Sequence, residues 1–214
     1  MVGQSVTVPS GGVALPGDLD LPAGARGMVL FAHGSGSSRF SPRNRAVATA
    51  LRGAGFGTLL LDLLTEEEDR EDEATGRHRF DIDLLAGRLA HAVDWLGQRP
   101  DTADLAVGLF GASTGAAAAL VAAAERPRRV SAVVSRGGRP DLAGDALELV
   151  ACPVLLVVGG DDETVLGLNR RAADRLSAAH HVVNVVPGAT HLFPEPGALE
   201  QVADLAAGWF REHL

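Results

Sequence analysis

The stretch GLFGASTGAAAAL, residues 108–120, runs an apolar segment into glycine, sets down one serine and continues as polyalanine. The residues before the serine have the short, doubly apolar character of a strand covered on both faces, and the alanines after it favour a helix. The serine therefore stands at a strand-to-helix corner, with Gly111 and Gly115 two positions to either side, in the pattern G-x-S-x-G. A sharp turn there strains the backbone of Ser113 and lifts its Oγ above the sheet. Side chains at 111 and 115 would collide in the bend, which accounts for the two glycines. The plain alternative is a glycine-rich turn with an incidental serine. A strand before, a helix after and partners further along favour a nucleophile.

Outward from this corner the chain alternates short apolar runs with amphipathic ones. Strands are predicted at 27–32, 58–63, 105–110, 130–135, 154–159 and 181–186. An N-terminal hairpin is predicted from 5–8 and 13–21, separated by the Pro-Ser-Gly-Gly turn signal. Helices are expected at 46–54, 82–96, 115–125, 164–178 and from 195 onward, with a short one at 141–149. The clearest is 82–96, where Leu85, Leu89, Val93 and Leu96 form a stripe at helical spacing. Strands alternating with helices behind a hairpin give an α/β fold: a mostly parallel, eight-stranded sheet with helices on both faces. No linker or repeat divides the chain, so 1–214 reads as one domain. Ligands of such sheets bind beyond the carboxyl ends of the strands.

A serine hydroxyl needs a base, and the base needs an orienting acid. Of seven histidines, His191 follows the strand VVNVVP and precedes the last helix, so it hangs over the carboxyl edge of the sheet. The strand VLLVVGG ends in Asp161-Asp162-Glu163. Asp162 falls at the loop apex and is favoured as the acid; Asp161, nearer the strand, suits a turn or a helix cap. Asp62 precedes the serine and fits a structural loop role.

The order Ser113, Asp162, His191 is that of alpha/beta-hydrolases. The motifs HGSGSSRFSPRNR, GLFGASTG, VGGDDETV and PGATHLF make the chain resemble a small alpha/beta-hydrolase of the dienelactone-hydrolase-like group over essentially its whole length. Members of that group proper usually carry cysteine as nucleophile, and position 113 is serine, which shifts the expectation toward ordinary oxygen esters. The resemblance implies a serine esterase whose catalytic triad is Ser113, His191 and Asp162. Its oxyanion hole would be the amide of Thr114, just past the nucleophile, and that of Ser35 in the H-G-x loop, with Gly34 shaping the turn. His33 would orient this loop through a ring hydrogen bond.

No block of helices separates the sixth strand from Asp162, so no large lid is expected. Arg136 emerges at a strand's carboxyl end. It is a candidate for binding a carboxylate or other anion on the substrate, or else a loop arginine paired with Asp141 or Asp145. The acidic run TEEEDREDE, 65–73, reads as a solvated, mobile loop.

Composition excludes several partners. All 19 basic residues are arginine, and the formal net charge of −8 argues against nucleic-acid or anionic-membrane surfaces. The single cysteine, Cys152, precedes an apolar run and reads as a buried structural thiol. No metal spacing such as H-E-x-x-H or C-x-x-C and no phosphate-binding G-x-x-x-x-G-K-[ST] is present, and the expected chemistry needs no cofactor. The N-terminus has no secretory signal pattern and no apolar run approaches a membrane span, so a cytoplasmic location is expected. The expected activity is hydrolysis of a small-molecule carboxylic ester, thioester or lactone through an acyl-enzyme. The open alternatives are an acyltransferase using the same triad and a non-catalytic, ligand-binding member of the fold.

Overall fold

The computed structural model describes residues 3–177 and 179–214. Eight strands form one sheet: β1 (Gln4–Ser10), β2 (Val13–Asp20), β3 (Met28–Ala32), β4 (Gly57–Leu61), β5 (Val107–Ala112), β6 (Val130–Arg136), β7 (Val154–Gly159) and β8 (His181–Val186). Their spatial order is β1-β2-β4-β3-β5-β6-β7-β8. The β1–β2 hairpin joins through an antiparallel pairing of β2 with β4, and every later pairing is parallel. All eight predicted strands are present, with ends displaced by up to two residues.

Period-two alternation divides the core between the two faces of the sheet. Along β3, Met28, Leu30 and Ala32 belong to one buried cluster, whereas Val29 and Phe31 belong to the other. The first cluster is closed by helices α3 (Ile82–Gln98), α4 (Thr114–Glu125) and α5 (Glu163–Arg175) through residues such as Leu89, Leu120 and Ala172. The second is closed by α1 (Pro42–Gly53) and α6 (Ala198–His213) through Leu51, Val202 and Phe210. Burying a phenyl ring such as Phe210 contributes about 1.5–3 kcal/mol. Gly108 makes room for it, because a Cβ there would lie 2.5 Å from the Phe210 ring.

The acidic run departs from the expectation of a mobile loop. Residues Glu66–Thr75 form a helix, α2. Thr65 and Glu68 make a reciprocal capping box, four acidic residues fill the first turn where the helix dipole favours them, and Gly76 ends the helix at φ 67°. Two ion pairs fix it to the body. Glu68 accepts from both terminal nitrogens of buried Arg88 at 2.6 Å, and buried Asp72 accepts from Arg79 Nε at 2.7 Å. Glu68 and Asp72 are thus specifically paired and the segment is a helix rather than a loop, whereas Glu66, Glu67, Glu71 and Glu73 are exposed, as expected of a solvated run.

The short helix expected near 141–149 is a 3₁₀ segment, Pro140–Leu149, broken at Gly144 by a left-handed φ of 55°. It is the sole element between β6 and β7, so no lid covers the sheet's carboxyl edge. The helix expected over 164–178 is observed as Glu163–Arg175, and residue 178 of that expectation lies outside the described residues. Cys152 is buried, and burial pushes its thiol up to about 11.

Candidate active site

Five connections leaving the carboxyl ends of β3, β5, β6, β7 and β8 carry the candidate residues to one edge of the sheet. Ser113 follows β5 and has φ 51° and ψ −121°, a region that non-glycine residues occupy only under constraint. Each elbow glycine answers a different neighbour. A Cβ on Gly111 would overlap Ala116 in α4, and one on Gly115 would overlap the carbonyl oxygens of Ala32 and His33 at the end of β3. A Cβ on Gly111 would also lie 2.6 Å from the carbonyl oxygen of Gly115, so the bend itself is too tight for a side chain there. Ala116 to Ala119 are all fully buried, which brings α4 close against the sheet.

Asp162 and His191 meet. His191 Nδ1 lies 2.7 Å from Asp162 Oδ2 and donates its proton to that carboxylate. Asp162 occupies the N-cap position of α5, but its side chain makes no cap hydrogen bond because it is turned to the imidazole. Asp161 is exposed and lies in the turn after β7, where its backbone N–H donates to Ala189 O at 3.0 Å, so of the two roles expected of it the turn is observed and the helix cap is not. The loop holding His191 is closed by Phe193 N–H to Thr190 O at 3.1 Å. Glu195 accepts from the Thr190 amide and hydroxyl at 3.0 and 2.6 Å. Gly137, at φ 49°, passes directly beneath: a Cβ there would stand 2.9 Å from His191 O.

Ser113 and His191 line one cavity of about 230 Å³ together with Gly34, Ser35, Arg43 and Arg136. Among the described residues Ser113 Oγ has no hydrogen-bond partner and stands open to this space. Such bonds often tighten only with substrate in place. A larger cavity of about 380 Å³ lies on the other side of the His33–Phe40 loop, beside Asp62 and Glu66, and contains neither Ser113 nor His191.

The loop after β3 lies against the elbow. A Cβ on Gly34 would sit 3.0 Å from Ser113 Cβ and 3.1 Å from Ala112 O, so only glycine lets the loop approach this closely. Ser35 Oγ is 3.1 Å from Thr114 Oγ1, which brings the two residues assigned to the oxyanion hole side by side. His33 fixes the loop from below. Its Nε2 accepts the Leu63 N–H at 3.0 Å, so Nδ1 carries the proton and donates to Gly34 O at 3.0 Å. Burial lowers the His33 pKa and keeps the ring neutral, as this pattern requires. Beyond it, Asp62 anchors the loop by accepting from the amide and guanidinium of Arg39.

Arg136 is the last residue of β6 and is only 6% exposed. Neither aspartate suggested for it is its partner: Asp141 pairs with Arg139 and Asp145 with Arg175. Its Nε and one terminal nitrogen are buried without a hydrogen bond. Burial and then the charge of Arg43 push its pKa down to about 10, which leaves it a cation at neutral pH. Arg43 and Asn44 face the same cavity and were not singled out from sequence. The available signal was an arginine in the first turn of a helix, where the dipole disfavours it.

Among the described residues no cluster of three or more His, Cys, Asp or Glu is placed to hold a metal, and no helix is long and apolar enough to cross a membrane. The dienelactone hydrolase family model matches residues 19–210. The chain is 57% identical to a dienelactone hydrolase from Anabaena variabilis whose crystal structure superposes with a TM-score of 0.97, over 99% of this chain and 98% of that one. Est1E from Butyrivibrio proteoclasticus, 17% identical, shares the fold with a TM-score of 0.80 over 98% of each chain. Two curated relatives from Mycobacterium tuberculosis strains, each named "Putative phosphoribosyl transferase", are 59% identical over 99% of this chain. The chain spans 46% of their length, about half. With an eight-stranded hydrolase sheet, a strained serine at its elbow and a family match over nearly all its residues, the chain belongs to the dienelactone hydrolase family.

Proposed function

We propose that the protein is a serine hydrolase that cleaves small carboxylic esters through an acyl-enzyme. The observation that carries this reading is the 2.7 Å bond between His191 and Asp162 at the rim of the cavity that Ser113 enters. Ser113 Oγ attacks the acyl carbon while His191 Nε2 takes its proton. The tetrahedral oxyanion is received by the amides of Ser35 and Thr114. Its collapse breaks the ester C–O bond, and His191 returns the proton to the leaving alcohol. Water then attacks the acyl-enzyme with His191 again as base, which releases the acid and restores Ser113. Asp162 keeps Nδ1 protonated throughout and balances the imidazolium. One lost oxyanion donor costs about 2.7–4 kcal/mol of transition-state stabilisation.

The transferase name of the curated relatives belongs to chains more than twice this length, and the features described here support acyl chemistry instead. A panel of short-chain, aromatic and lactone esters tests the reading. Turnover by the native protein and its loss in Ser113→Ala are expected. Equal rates for the two proteins would contradict it.

A further inference from the structure

The cavity beside Ser113 contains two cations and no anion. Among the described residues Arg136 and Arg43 form no salt bridge, and none of the residues lining the cavity is acidic. Arg136 is more than nine-tenths buried, and two of its nitrogens lack any hydrogen bond. Arg43 Nε is likewise buried and unbonded. Unpaired guanidinium groups that approach one another with little access to water are costly, and an anion bound between them would offset that cost. Arg43 adds a second penalty, because it sits in the first turn of α1 at the positive end of the helix. That first turn contains no acidic residue to offset it.

We propose that Arg136 and Arg43 form a subsite for a dianionic phosphoryl group carried by the ester substrate. This rests on the reading of Ser113 as nucleophile. The class follows from counting charge. Two guanidinium groups and a helix N-terminus call for about two negative charges, which a phosphate monoester carries at neutral pH. A single carboxylate would leave one of the two cations uncompensated. Three acceptor oxygens also suit donors approaching from two sides, the second terminal nitrogen of Arg136 from β6 and the terminal nitrogens of Arg43 from α1. Asn44 is buried on the same wall and offers an amide to a further oxygen. The phosphoryl group binds and remains intact while water cleaves the carboxylic ester at its acyl carbon.

The test uses methyl phosphate and acetate as probes, titrated calorimetrically into the Ser113→Ala protein so that no turnover intervenes. Saturable methyl phosphate binding is expected, about tenfold or more tighter than acetate, with losses of about 10–100-fold on adding Arg136→Met or Arg43→Gln. Arg139→Gln, whose partner is Asp141, serves as the control and should bind as tightly as its parent. In the native protein methyl phosphate should inhibit 4-nitrophenyl acetate hydrolysis competitively. Arg136→Met should be no less stable than the native protein, since it removes an unpaired buried charge. Arg43→Gln, on a half-buried side chain, tests the idea independently of that core position. Acetate binding as tight as methyl phosphate, or binding indifferent to both arginine substitutions, would overturn the proposal. If phosphate binds through both arginines but the native protein hydrolyses no ester, the subsite stands and the nucleophile assignment falls.

Discussion

Asp162 caps α5 in position but not in bonding: its carboxylate leaves the helix amides free and accepts the His191 Nδ1 proton at 2.7 Å. A residue type suited to stabilising a helix is thereby diverted to an imidazole from another strand's loop. That diversion separates the contribution to activity proposed for it from its contribution to stability. Asp162→Asn should lower kcat by about 10³–10⁴-fold, because the amide favours the wrong tautomer of His191. Asparagine caps helices as well as aspartate does, so thermal stability should hold or rise slightly. Asp161→Asn should leave both quantities nearly unchanged. The check is steady-state kinetics and a melting curve on each variant.

Gly34→Ala probes the contact between the loop after β3 and the elbow. The added methyl would press on Ser113 Cβ at 3.0 Å and on Ala112 O at 3.1 Å. The loop must give by a few tenths of an ångström at the point where the proposed oxyanion donors would meet the reacting carbonyl. A fall in kcat of about tenfold or more is expected, with KM changed little. Far-ultraviolet circular dichroism should remain native.

Glu68→Gln tests the anchoring of the acidic helix. Glu68 is held at a pKa of about 2, first by its hydrogen bonds from Arg88. Its folded value lies below the unfolded one, so its stabilisation is complete above pH 4.5 and is lost as pH falls toward 2. The variant should lose about 1.5–3 kcal/mol at neutral pH, since buried Arg88 keeps only a weakened partner. Its unfolding free energy should also fall less steeply in acid, as read from urea titrations.

His33 gives a second pH signature. Burial lowers its folded pKa below 6.5, so the unfolded chain takes up a proton there that the native chain refuses. The stability due to neutral His33 is therefore complete above that pH and declines as pH falls below it. His33→Asn should flatten the stability profile between about pH 7 and pH 5. It should also loosen the loop from Leu63, which would show as faster amide exchange at residues 34–36.

The sheet was legible because its inner strands, such as β3 (MVLFA) and β7 (VLLVVG), are short apolar runs with glycine or proline beside them, and the hairpin because a turn signal separates β1 from β2. The elbow was legible because Gly111, Ser113 and Gly115 follow a local steric rule. The order of the loops along one sheet edge pointed to an aspartate after β7 as the partner of His191, and the place of Asp162 at the loop apex favoured it over Asp161. What escaped were contacts between distant segments. Glu68 and Arg88 lie 20 residues apart, so the ion pair that anchors the acidic run to α3 leaves no mark in its local composition. Arg43 and Arg136 lie 93 positions apart, and no periodicity links them. The partner of Arg136 was sought among aspartates nearby in sequence, but Arg139 and Arg175 already hold them.

The most direct measurement is intact-protein and peptide mass spectrometry after treatment with a fluorophosphonate. The account predicts one adduct per chain, located on Ser113, absent from Ser113→Ala and formed far more slowly in Asp162→Asn. An unmodified native protein, or an adduct that persists after Ser113 is replaced, would contradict it.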